Sequence, residues 1–155
     1  GSNGLVIYSD TTITLNNITA NGNGMNGADL NNYDAWGLPE YWILSSSIKI
    51  TGANTFNGNG ENGLFFRTYG LAEISKLTAD SNDLDPSYSG GSGVVGYSNN
   101  SSITITCGSM TRNGTYGWSL DAFTLVTLKG VFAIGNFVQN TNGDIPVVVR
   151  TCPLP

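Results

Sequence analysis

The sequence predicts a single all-β domain built from a repeated unit, and three features of the chain support this prediction. Its 155 residues are enough for one domain with a buried core. Glycine occurs 21 times, and much of the polar character comes from Asn, Thr and Ser, which are typical of short strands joined by tight corners. No window of about a dozen residues places apolar side chains at helical spacing.

The repeated unit is clearest between Ile13 and Gly24. It begins with the alternating run Ile-Thr-Leu and ends with the corner Asn-Gly-Asn-Gly. In such a run the two apolar residues can face a core while the middle residue faces water. Each unit opens at a glycine, and these glycines are Gly4, Gly27, Gly63, Gly93 and Gly117. Their intervals of 23, 36, 30 and 24 residues are typical of solenoids and other repeat folds.

Each unit holds three short segments separated by corners. The first segments are residues 5–7, 28–30, 64–66, 94–96 and 118–120. The second, alternating segments are residues 13–15, 48–50, 72–74, 103–105 and 126–128. The third are residues 18–20, 55–56, 77–79, 109–110 and 131–133. Three short strands per rung, in rungs of about 23 residues, predict a right-handed parallel β-helix, a single-stranded solenoid of about five to six rungs. A propeller blade would need about 40 residues or more.

The asparagines and glycines at the corners are expected to be structural. Both tolerate left-handed backbone angles, and asparagines stacked on one another can hydrogen-bond along the axis of a solenoid.

The run from Ile13 to Gly24, followed by Asn26-Gly27-Ala28, resembles the right-handed parallel β-helix repeat proteins found in large secreted and surface proteins of bacteria. The resemblance covers residues 4 to about 143 and implies the same fold and an extracellular or cell-surface location. It implies no single activity, because this repeat serves pectin-degrading enzymes, phage tailspikes, adhesins and plain stalks alike.

The domain organisation follows from departures from the repeat. Residues 1–155 are expected to form one parallel β-helix domain, the C-terminal part of a longer protein, with insertions at residues 31–47 and 80–91. Insertions into solenoid corners are where function is expected. Residues 137–155 are predicted to form an irregular C-terminal cap, since prolines cannot continue a strand ladder. The two insertions would form one site only if they leave from the same edge of the fold.

The first insertion is predicted to bind glycans. Sugar rings stack on aromatic side chains, and carboxylates accept hydrogen bonds from sugar hydroxyls. The alternative is a loop that folds its aromatic side chains back over a corner of the solenoid. The residues concerned are Tyr33, Trp36, Tyr41 and Trp42, with Asp34 and Glu40 beside them.

The second insertion is a candidate Ca²⁺ site, and Ca²⁺ is the one cofactor that the sequence suggests. Ca²⁺ prefers several oxygen ligands, and this turn presents Asp80, Asn82, Asp83 and Asp85. The spacing lacks the glycine and the distal glutamate of an EF-hand loop, so a solvated turn is the alternative.

The two cysteines, Cys107 and Cys152, are 45 residues apart, which is close to two rungs. Rungs two apart are separated by about 10 Å, beyond the reach of a disulfide unless the terminal segment folds back. Both the disulfide and the reduced state stay open.

The charge and the residue types exclude several functions. The net charge is −5, with 6 Lys and Arg, so neither nucleic acid nor an anionic membrane surface is an expected partner. No apolar run is long enough for membrane insertion. The chain has no histidine, which removes His-dependent mechanisms.

The predicted function is therefore non-catalytic: an extracellular stalk, adhesin or surface-assembly module, with glycan binding through the aromatic insertion and self-association by end-to-end stacking. The alternative is a polysaccharide lyase or a glycoside hydrolase. A lyase would need an Arg or Lys base beside acid-bound Ca²⁺, and no acidic partner is evident for the candidates Arg67, Lys76, Arg112 and Lys129.

Overall fold

The computed structural model describes residues 1–33, 46–83 and 90–137, together with Cys152. These residues form strands and no helix, so the all-β prediction is confirmed for this part of the chain. They also contain no helix long and apolar enough to cross a membrane.

The strands form two parallel sheets, and the chain alternates between them. The first sheet has the order β1-β3-β6-β8-β10 and the second the order β11-β9-β7-β4-β2, with the short β5 also paired to β7. The strands are β1 Leu5–Tyr8, β2 Ile13–Asn16, β3 Ala28–Asn31, β4 Ile48–Thr51, β5 Asn54–Thr55, β6 Leu64–Thr68, β7 Ala72–Thr78, β8 Val94–Ser98, β9 Ile103–Ser109, β10 Trp118–Ala122 and β11 Val126–Phe132.

The sheet register matches the repeat that is visible in the sequence. Equivalent positions of successive units pair directly, as in the column Leu5, Ala28, Leu64, Val94 and Trp118 that begins the first-sheet strands. Every strand therefore binds the strand one unit away in sequence, and units of unequal length stay in register because the extra residues lie between strands.

The core lies between the two sheets and is built by alternation along each strand. In the second sheet Ile13, Ile48 and Ile103 are buried at one register position and Ile50 and Ile105 at the next inward position. Burying one such side chain stabilises the fold by about 1.5 to 3 kcal/mol.

One inward position of the first sheet pairs a large residue with a glycine. A Cβ added at Gly96 would lie 2.1 Å from Phe66 Cζ, so glycine leaves the room that the phenyl ring occupies.

The second and third predicted segments merge into one bent strand in three of the units. A single residue with positive φ lies within each of β7, β9 and β11: Lys76 (50°), Cys107 (58°) and Gly130 (58°). Pairing resumes directly after this residue, as in Leu77 with Gly108. One left-handed residue turns the chain without ending the ladder, which is why two sheets form where three separate strands per unit were expected.

Stacked asparagines hydrogen-bond from unit to unit at a buried corner. In this Asn ladder the backbone N–H and the Nδ2 of each residue donate to the Oδ1 of the next, at 2.9 to 3.0 Å. The expected hydrogen bonding along the stack is thereby confirmed. The ladder consists of Asn23, Asn59, Asn82, Asn113 and Asn136.

The glycines that open the units are required by close packing between units. A Cβ at Gly63 would lie 2.7 Å from the carbonyl oxygen of Gly93, and a Cβ at Gly93 would lie 2.6 Å from that of Gly117. Non-bonded atoms do not approach this closely, so a side chain at either position would push neighbouring units apart.

Candidate functional site

The two insertions leave the fold at opposite ends of the first-sheet strands. The first insertion follows the end of β3 at Asn31, whereas the second precedes the start of β8 at Val94. A strand of four or five residues separates these ends by about 13 to 17 Å. The described residues that flank the two insertions therefore do not lie at the same edge of the first sheet.

Tyr33 is the one residue of the predicted aromatic platform that falls within the described ranges. Its side chain is exposed, and its ring stacks on that of Tyr69 with centroids 6.2 Å apart and planes 10° apart. The amide of Tyr33 donates to Asn31 Oδ1 at 2.9 Å, which holds the start of the insertion. The other predicted glycan ligands, Trp36, Tyr41, Trp42, Asp34 and Glu40, lie outside the described residues.

The described residues of the predicted Ca²⁺ site make hydrogen bonds within the fold. The Asp80 carboxylate accepts from the Ser109 hydroxyl and from the Thr111 amide. Asn82 is fully buried in the Asn ladder. Asp85 lies outside the described ranges, within which no group of three acidic, His or Cys side chains is placed to hold a metal ion. The Ca²⁺ site stays a prediction.

Asp83, the remaining candidate, closes the base of the second insertion. It follows the ladder residue Asn82 where three other units have a glycine, at Gly24, Gly60 and Gly114, and its φ is 44°. Its side chain is buried, and Oδ2 accepts from the Gly91 amide at 2.7 Å. A carboxylate that receives a backbone N–H is a strong hydrogen-bond partner, so Asp83 joins the two ends of this loop.

Cys107 and Cys152 form a disulfide, with Cα atoms 5.6 Å apart. Cys152 lies against the corner at Gly130, where its Sγ is 3.4 Å from the carbonyl oxygen. A Cβ at Gly130 would lie 2.1 Å from that Sγ. Glycine at this corner therefore leaves the space through which Cys152 reaches the preceding unit.

A cluster of one exposed cation and two half-buried aromatic residues lies on the outward face of the first sheet. The guanidinium carbon of Arg67 is 5.2 Å from the ring centroid of Phe65 and 5.7 Å from that of Tyr97. The two rings meet edge to face, with centroids 6.2 Å apart. Arg67 and Tyr97 are direct cross-strand partners, and Phe65 is two residues before Arg67 on the same face.

Polar side chains extend this cluster onto neighbouring strands. Asp29 pairs with Phe65, and burial raises the pKa of its carboxyl above the ordinary value, while the positive charge of Arg67 opposes that rise. Asn3 Nδ2 donates to the Asp29 carboxylate at 3.4 Å. The first-sheet face is defined as Tyr8, Asp29, Asn31, Phe65, Arg67 and Tyr97, all at outward register positions.

The sequence reasoning missed most of this face because it looked for function only in the insertions. The sequence suggests Arg67 only as a candidate catalytic base and indicates no functional role for Phe65 or Tyr97. The alternation of buried and outward residues along a strand could have indicated this face. Residues on either side of the buried Phe66 must face outward, so Phe65 and Arg67 share one surface.

Comparisons of the chain with family models, with curated proteins and with solved structures gave no match.

Proposed function

We propose that the chain is a segment of a right-handed parallel β-helix that acts outside the cell as a non-catalytic stalk or adhesin module and binds glycans on its first-sheet face. Two parallel sheets that the chain visits in alternation are what successive rungs of such a helix would produce. The bend after each second-sheet segment would then separate the second and third sides of a rung.

The stalk role is supported by how the units are joined. Backbone ladders run through both sheets, and the Asn ladder adds side-chain hydrogen bonds between consecutive units at a buried corner. Each unit contacts its neighbours through the same positions, which suits an elongated rod that transmits load along its axis.

The glycan-binding role rests on one observation, the cluster of Phe65, Arg67 and Tyr97 on the outward face of a regular sheet. Sugar rings have apolar CH faces that stack on aromatic rings, while their hydroxyls donate to and accept from polar side chains. Asp29 and Asn31 supply such groups beside the rings. The stacked pair of Tyr33 and Tyr69 continues the aromatic surface toward the first insertion.

The test is binding of the purified chain to a panel of soluble polysaccharides, measured by isothermal titration calorimetry with and without Ca²⁺. We expect Tyr97→Ala to weaken binding by about tenfold, the effect of losing one good aromatic contact. The matched control is Phe132→Ala, because Phe132 is an exposed aromatic residue on the second sheet. Thermal unfolding of both variants should stay close to that of the parent chain.

Two results would contradict the proposal. If no polysaccharide binds, or if Phe132→Ala weakens binding as much as Tyr97→Ala, the first-sheet face is not a glycan site. The same panel, followed for release of reducing ends or of unsaturated products, tests the enzymatic alternative. If the chain turns over a polysaccharide and Arg67→Gln abolishes that turnover, the chain is an enzyme and not a binding module.

A further inference from the structure

The guanidinium of Arg67 is exposed and held on aromatic rings. It makes no hydrogen bond or ion pair with any residue in the described ranges, and its contacts there are with the rings of Phe65 and Tyr97. Contact with ring faces satisfies none of the guanidinium N–H donors, so these groups remain for other acceptors. Arg67 therefore presents a pre-oriented fork of donors beside a surface suited to sugar rings.

Such a fork matches an acid group better than it matches neutral hydroxyls. Carboxylates and sulfates accept two parallel N–H bonds from one guanidinium, and these charge-assisted bonds are roughly twice as strong as neutral ones. Because the guanidinium is already held by two rings, less side-chain freedom is lost when it binds.

The negative charge around Arg67 disfavours a densely charged anionic ligand more than one whose acid groups are well separated. Asp29 lies one strand away, Asp121 lies two strands away at the same register position, and the whole chain carries a net charge of −5. Densely charged polymers such as nucleic acids need many clustered cations, which this face lacks among its described residues. A polysaccharide with one acid group per sugar residue suits a single guanidinium beside aromatic rings.

We propose that the first-sheet face selects acidic saccharides, with a uronate or sulfate group bound by Arg67 and a neighbouring sugar ring stacked on Tyr97. This inference rests on the proposed glycan binding and adds the substrate class. Asp29 opposes it in part, since its negative charge repels the acid group that Arg67 attracts.

The experiment compares alginate, hyaluronan and polygalacturonate, each with its carboxyl-reduced form, which keeps the sugar chain and removes the charge. We expect the parent chain to bind at least one acidic polymer about tenfold more tightly than its reduced form. Arg67→Gln should abolish that preference, so that the acidic and the reduced forms bind within about twofold of each other. Arg67→Lys should restore only part of it, because an ammonium group lacks the planar fork.

Two further variants test whether binding of the acidic polymer responds to nearby charge with the expected sign, and whether the site lies on the first sheet. Asp29→Asn removes a nearby negative charge and should tighten binding of the acidic polymer by about twofold. Lys49→Gln removes a positive charge from the exposed face of the second sheet and should change nothing. Polyglutamate serves as a charged polymer without sugar rings and should bind at least tenfold more weakly than the acidic polysaccharide.

The outcomes separate this inference from the proposal beneath it. Failure of every polymer to bind removes the glycan site and the inference together. Equal binding of acidic and reduced forms leaves the glycan site standing and overturns the preference. An unchanged preference in Arg67→Gln overturns the role of Arg67, and polyglutamate binding as tight as that of the polysaccharide overturns the saccharide class.

Discussion

Asn82→Ala is predicted to be among the more damaging single changes in this chain. Asn82 is fully buried, and its Oδ1 accepts both the backbone N–H and the Nδ2 of Asn59, each at 3.0 Å. Its own Nδ2 donates to Asn113 Oδ1 at 2.9 Å. Removing the side chain deletes three hydrogen bonds and leaves two donors of Asn59 without an acceptor in a site that is 1 % exposed.

The expected cost follows from those two stranded donors. Each buried group left without a partner costs about 1 to 3 kcal/mol, so the free energy of unfolding should fall by about 2 to 6 kcal/mol. This is a large share of the roughly 5 to 15 kcal/mol by which domains are typically stable, and it corresponds to a decrease in Tm of about 4 to 24 °C for a chain of this length.

The assay is urea and thermal unfolding followed by far-UV circular dichroism, with two comparison variants. Asn100→Ala changes an exposed asparagine at another corner and should alter stability by no more than about 0.5 kcal/mol. Asn82→Asp keeps an acceptor for Asn59 but buries a carboxylate opposite Asn113 Oδ1. It should be unstable at neutral pH and partly recover in acid, where protonation restores a donor.

A loss below about 1 kcal/mol for Asn82→Ala, or one no larger than that for Asn100→Ala, would refute the view that the Asn ladder stabilises the stack of units.

Three further predictions concern other parts of the chain. Gly63→Ala should lower the free energy of unfolding by about 1 to 3 kcal/mol in urea, because its Cβ would meet the Gly93 carbonyl; Gly22→Ala, where φ is 66° but the space is open, should cost only about 1 kcal/mol. Cys152→Ser should lower stability by about 4 kcal/mol, the chain-entropy value for the 45-residue separation of the disulfide, and reduction of the parent chain should have the same effect in the same urea assay. Asp29→Asn should reduce the pH dependence of stability measured across the acidic range. Burial raises the folded-state pKa of Asp29, so the folded chain holds this proton more tightly than the unfolded chain. The resulting contribution to the free energy of unfolding is present below the unfolded-state pKa and is lost as the pH rises through the folded-state pKa.

Much of the fold was readable because its signals are local and repeated. The alternation of Ile48, Lys49 and Ile50 specifies which face of a strand is buried, and β4 has that burial pattern. The spacing of Gly27, Gly63 and Gly93 aligned the units correctly. The boundary between the second and third segments was not readable, since a lysine and a cysteine adopt the left-handed conformation there, where glycine or asparagine would be expected.

The candidate site was less predictable because it is assembled between units. Phe65 and Arg67 belong to one strand and Tyr97 to another, 30 residues further along the chain than Arg67. Nothing in either segment alone indicates a site. Their contact depends on the register that the parallel ladder imposes across an insertion of variable length.

By itself, the sequence determined that the chain would be all-β, that its units begin at the glycines, and that its corner asparagines would hydrogen-bond along the stack. Backbone sterics and the two-residue period of a strand act within a few residues, so these features can be read from short segments. Only the tertiary structure decided that the second and third segments form one bent strand, that Cys152 reaches Cys107, and that Arg67 meets Tyr97. Those contacts join residues whose separation along the chain differs from unit to unit, and only the stacking of the units brings them within a few ångströms of one another.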